Sequence, residues 1–155
     1  MLPKLVGAVV PSLFKDIMSD IENEFNSALS RYQSGDDINT VLQEFKEIIN
    51  KIPNHFAAWT CMAWLQLLQK NNEEALFSAK QAVKLNGQDP QARMNLALAL
   101  LATNNKGVRD HIDLIKRLVI IAPELEEDLK QSVNDGLSRD SDWIELKKIK
   151  KWLDF

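Results

Sequence analysis

"AAWTCMAWLQLL", residues Ala57–Leu68, is the stretch on which the fold turns. It carries two tryptophans, Trp59 and Trp64, and hardly a polar atom. A helix that is apolar all round needs cover in more than one direction. It stops at Gln69-Lys70-Asn71, short of the roughly 20 apolar residues that span a bilayer. Its cover therefore has to come from other helices. A shift of about 34 residues sets "AWTCMAWLQLL" against "ARMNLALALLA", pairing Ala58 with Ala92, Met62 with Leu96 and Ala63 with Ala97. One period upstream the equivalent slots hold Phe25, Ala28 and Leu29. Trp59 falls on Arg93, and Pro53 on Gly87 in the loop "KLNGQDPQAR". A further loop proline, Pro123, arrives late by the length of a short insertion near "NNKGVRD".

Each unit reads as two helices with a short break. In the middle unit the first spans about residues 56–69 and the second about 73–85. Asn71 lies where an N-cap would stand, with Glu74 as its reciprocal carboxylate. Ala75, Leu76, Ala79, Ala82 and Val83 follow a helical period, and Gly87 and Pro90 end it. No stretch alternates with period two. The chain is predicted to be all-α.

Bulk composition narrows the function classes. With 155 residues and ordinary apolar and charged fractions, the chain is long enough for a packed core without staples. The net charge of −3, with mixed signs along the chain, lacks the gathered basic excess of a nucleic-acid face. One cysteine, Cys61, excludes an internal disulfide and any multi-cysteine zinc site, and fits a reducing, cytoplasmic setting.

The repeat resembles the tetratricopeptide family, on Trp59, Met62, Ala63, Ala75, Ala82 and Leu85 in the middle unit. Tyr32, Phe45 and Pro53 carry it upstream, and Leu96, Ala97 and Pro123 downstream. Departures are Gln66 and Asn72 at aromatic slots and Gly87 at the closing proline. The expected fold is an all-α, α-α superhelix of about three units, residues 21–55, 56–89 and 90–123, with capping helices over 124–155. Residues 1–20, opening "MLPKLVGAVVPSLF", are expected to cap the domain. Competing readings are a weak membrane or partner anchor, interrupted at Pro3 and Pro11, and residues ahead of a start at Met18.

At about 100° per residue, Trp59, Met62, Ala63 and Gln66 share one side of the central helix. Ala57, Thr60, Trp64, Leu67 and Leu68 share another. The resemblance implies that this second side lines a concave groove holding a partner segment. Its candidate residues are Asn26, Ser30, Trp64, Leu67, Met94, Asn95, Leu98 and Leu101. The apolar end of that groove demands cover, since burying one large side chain contributes about 1.5–3 kcal/mol. Either the chain's own C-terminus or an amphipathic partner segment meets that demand. In "DSDWIELKKIKKWLDF", Ser141 or Asp140 would cap a helix whose Trp143, Leu146, Ile149, Trp152 and Leu153 share an apolar side. Its Lys147, Lys148, Lys150 and Lys151 make the rest basic. That suits the solvated end of a solenoid or, alternatively, an acidic lipid surface or partner.

Catalytic and metal motifs are missing from the sequence. His55 and His111 have no ligand spacing, and Cys61 sits on an apolar helix as a small core residue. His111 reads as a half-buried, hydrogen-bonded histidine. No Gly-rich phosphate loop occurs. Some members of the family clamp a chaperone's terminal carboxylate with Lys, Asn and Arg. Asn95 matches the amide slot, but Asn26, Cys61 and Gln91 occupy the basic ones, so no such clamp is expected. The expectation is a non-enzymatic, cofactor-free adaptor or assembly factor that binds another protein. A self-associating structural protein and, further off, an RNA-binding helical repeat are the alternatives.

Overall fold

The computed structural model describes the backbone of residues 2–155 and the side chains from residue 12 onward. Whether the side chains of residues 1–11 cap or anchor therefore lies outside the described residues. Those described form α-helices and turns, without a strand. The chain divides into two compact units, Met1–Pro53 and Asn54–Phe155.

The first unit is a hairpin of α1 (Leu2–Gln33) and α2 (Ile38–Lys51). The backbone of α1 is helical from residue 2 onward, positions 3 and 11 included. Gly35 turns the chain with φ of 84°, a left-handed conformation open to glycine without a Cβ clash. Asp37 then caps α2, its carboxylate accepting from the Thr40 amide at 3.1 Å. Phe25 and Phe45 meet at 5.6 Å between ring centroids, and Lys51 pairs with Glu24 at 2.8 Å. Leu13, Phe14, Ile17 and Met18 on α1 are exposed.

The second unit runs through α3 (Phe56–Leu68), α4 (Asn72–Leu85), α5 (Pro90–Ala102), α6 (Val108–Ile121), α7 (Pro123–Arg139) and α8 (Ile144–Trp152). Each helix packs on the next, and α3 also packs on α5. The repeat is written in the backbone. After α3, the Lys70 amide donates to Leu67 O and the Asn71 amide to Gln66 O; after α5, Asn104 and Asn105 donate to Leu101 O and Leu100 O. Both are Schellman endings, with the left-handed residue at Lys70 (φ 62°) and Asn104 (φ 57°). Starts are copied as well. His55 Nδ1 accepts from the Ala58 amide at 3.1 Å, and Asp89 Oδ2 from the Ala92 amide at 2.9 Å. His55 thus serves as an N-cap, a use the sequence reading left out.

The three departures from the family pattern have local causes. Gln66 is buried against Ser78 of α4 at 2.6 Å. With its amide nitrogen toward Ser78, it donates to the Met62 and Glu74 carbonyls at 3.3 and 3.1 Å as well. An aromatic in that slot is replaced by a hydrogen-bonded link between helices. At Gly87 an added Cβ would stand 2.7 Å from the Arg93 guanidinium, whose Nε donates to the Gly87 carbonyl at 2.7 Å. The missing proline makes room for that arginine. Asn72 is the first residue of α4, and Asn71 before it occupies the cap position. The expected Asn71 side-chain cap does not form, because its amide turns to Gln69 Oε1 at 3.3 Å.

Candidate functional site

The six groove candidates of the second unit lie on α3 and α5. Trp64, Leu67, Met94, Asn95 and Leu98 are buried, and Leu101 is half-buried. Their cover comes from the same chain. Helix α8 packs on α5 and α7, and its Trp143 ring lies 5.3 Å from that of Trp64. Gly136 of α7 closes the junction. A Cβ there would fall 2.6 Å from Leu146 Cδ2 and 3.0 Å from the Trp64 ring. A side chain there would have to push Leu146 and the Trp64 ring aside. Lys70 ties it from outside, with Nζ 4.8 Å above the Trp143 ring and 2.8 Å from Asp140, whose carboxyl it holds below its ordinary value. Buried as they are, these five residues offer no surface to a partner while the helices stay packed.

Asn26 and Ser30 belong to the other compact unit, where they lie exposed one turn apart on α1. Asn95 spends its amide inside. Its Nδ2 donates to the Thr60 carbonyl at 3.0 Å, joining α5 to α3, and its Oδ1 accepts from Gln91 Nε2 at 2.8 Å. At 0% exposure an unpaired amide would be costly, so this geometry holds two helices together.

On α8, Trp143, Leu146, Ile149 and Leu153 are buried, but Trp152 is 41% exposed. Of the five residues expected to share an apolar side, Trp152 alone is not buried. The N-cap of α8 is Trp143, without a side-chain cap; Asp140 instead accepts from the Asp142 amide at 3.1 Å. Beside Trp152, a groove of about 520 Å³ runs along α6, lined by Val108, Arg109, Ile112, Asp113 and Lys116. Ile120 and Ile121 at the end of α6 are 77% and 81% exposed, and Ile144 opens α8 to solvent.

The remaining polar candidates have structural partners. Arg93 NH1 lies 3.1 Å from His111 Nδ1, and burial with the Arg93 charge holds His111 below its ordinary value. This pair joins α5 to α6 at the positions where Trp59 meets Phe77, at 5.9 Å, between α3 and α4. Burial pushes the Cys61 thiol up to about 12, the opposite of an activated nucleophile. Among the described residues, no group of three or more His, Cys, Asp or Glu side chains is placed to hold a metal ion. No described helix is long and apolar enough to cross a membrane.

No protein-family model matches the sequence, and no curated protein does. The fold has solved counterparts. It is similar to the type III secretion translocator chaperone SycD of Yersinia enterocolitica, in an alternative dimer, with a TM-score of 0.63. That match is 15% identical and covers 88% of this chain and 96% of that one. A double mutant of MamA RS-1 matches with a TM-score of 0.56 at 19% identity, over 87% of this chain and 74% of the other. These likenesses support a fold of the tetratricopeptide-like, all-α helical-repeat class.

Proposed function

We propose that the chain is a non-enzymatic protein-interaction module, an adaptor or assembly factor for a larger complex. The observation that carries this reading is the apolar surface left over once the core is closed. Trp152, Ile144, Ile120 and Ile121 stay exposed although α8 packs on α5 and α7. Exposed large apolar side chains of this kind mark interaction sites. The shared fold with a secretion translocator chaperone adds support from a protein whose name describes partner handling. The groove on Trp64, Leu67, Met94 and Leu98 enters the proposal as a latent site, open to a partner helix that takes the place of α8.

The test is affinity capture from the cells that make the protein, with the full chain as bait. Capture is compared with Ile120→Asp/Ile121→Asp and Trp152→Ala, exposed positions whose replacement leaves the core intact. A defined partner retained by the parent chain and lost by one of these variants, at unchanged melting temperature, is the expected result. A captured set identical across all baits removes the surface from the reading.

A further inference from the structure

The groove between α6 and α8 has an architecture that selects its occupant. Its floor is buried Ile112 with half-buried Val108, and the exposed Trp152 indole forms one wall. Its rim is cationic. Arg109 and Lys116 line it from α6, and Lys148, one turn before Trp152, stands on the same side of α8. Lys147, Lys150 and Lys151 add to that end of the molecule. Among the described residues neither Arg109 nor any of these four lysines makes a salt bridge. Carboxylates on these elements are Asp110 in the first turn of α6, Asp113 on the groove wall, Glu145 in the first turn of α8, and Asp154, which Lys116 engages at 3.3 Å. With Lys116 paired to Asp154, Arg109 and Lys148 remain as rim cations without a salt bridge, on a chain whose net charge is −3.

Resting on the interaction-module reading, the geometry points to the α6–α8 groove as the docking site for an acidic protein segment that carries a large apolar anchor. The anchor side chain fills the space between Trp152 and Ile112, and flanking Asp or Glu residues meet Arg109 and Lys148. Exposed tryptophan beside an apolar floor is the composition of a binding hot spot, and the charged rim steers and orients the partner. A lipid surface fits less well. A basic amphipathic helix enters a membrane by its apolar face, and in α8 that face, Leu146, Ile149 and Leu153, is used up inside the protein.

The experiment is selection of a random peptide library on the full chain, with binding of the selected peptides then measured by fluorescence anisotropy. Trp152→Ala and Arg109→Glu alter exposed side chains, and circular dichroism confirms that both fold. Expected are peptides rich in Asp and Glu around one aromatic or aliphatic anchor. Their binding should weaken about tenfold or more in each variant and decline as salt rises. Selected peptides that lack acidic enrichment, or that bind both variants as tightly as the parent, overturn this inference while leaving the module reading standing. A library that returns no binder overturns both. Vesicles of phosphatidylcholine and phosphatidylserine form the second arm; sedimentation of the chain with them, abolished by Trp152→Ala, assigns the groove to lipid and also overturns the proposal.

Discussion

Trp143→Ala asks whether α8 belongs to the fold or merely rests on it. The indole is 2% exposed, and an aromatic side chain of this class buries about 150–250 Å². At about 25 cal/mol per Å² that is about 4–6 kcal/mol of transfer free energy. The Cβ remains in the alanine variant and the site partly collapses, which brings the expected loss to about 3–5 kcal/mol. The Lys70 ammonium above the ring is half-exposed, so its loss adds only about 0.5–1 kcal/mol. These terms fall on a helix of 9 residues, shorter than the roughly 12–15 at which an isolated helix becomes even marginal in water. Helix α8 therefore has no stability of its own to fall back on. Hydrogen exchange of residues 144–152 should accelerate about a hundredfold or more, since every 1.4 kcal/mol is tenfold. Trp64, losing its ring partner, should shift its emission to the red. If α8 keeps its protection and urea unfolding moves by less than about 1 kcal/mol, well under the cost of a buried tryptophan, then α8 does not hold Trp64 and α5 covered as described.

Three further outcomes follow from individual contacts. Gly136→Ala sets about 1 kcal/mol of helix propensity against about 1–3 kcal/mol of overpacking on the Trp64 ring; urea titration should show net loss, growing with Gly136→Val, and a stabilised alanine variant would refute the close approach. Asn95→Leu strips the hydrogen bonds to Thr60 and Gln91 and should cost about 1–3 kcal/mol in the same titration; no loss would mean that Asn95 does not hold α5 to α3. With its thiol pushed up to about 12 from an ordinary 9.0, half-buried Cys61 should react with a disulfide-exchange reagent at pH 8 more slowly than in the denatured chain. Because the unfolded chain ionises first, stability should fall as pH rises from about 9 toward about 12; rapid native labelling would contradict the burial.

The period of the chain was legible because a hairpin stack repeats its demands. Ala58 and Ala92, Ala63 and Ala97 are small and fully buried for the same reason, close approach of a neighbouring helix. What the residues did not announce is instructive. Lys70 takes a left-handed turn that glycine or asparagine normally signals, as Asn104 does at the equivalent place. Tertiary packing imposed that turn on a residue without the propensity. Trp152 follows Ile149 by three positions, at the spacing of one apolar side. Each three-residue step falls about 60° short of a full turn, so two steps from Leu146 carry Trp152 about 120° round. Leu153 takes the buried place instead. The cover over Trp64, Met94 and Leu98 could not be assigned from the sequence, since an intramolecular helix and a partner helix present the same pattern of anchors.

The placement of α8 ties stability to recognition. A stack of hairpins ends with an unpaired apolar side, and a terminal helix must cover it. In this chain the covering helix is short, so four of its residues, Trp143, Leu146, Ile149 and Leu153, are committed to the core. The outward positions then hold lysines, and Trp152, the last residue of α8, lies beside α6. Charge and an exposed indole thus collect in one place as a consequence of how the stack is closed. Removing Trp152 should weaken a partner and spare the fold, whereas removing Trp143 should loosen the fold and, through α8, the partner's groove as well. The two tryptophans on one helix separate the roles, because only one of them is needed to close the core.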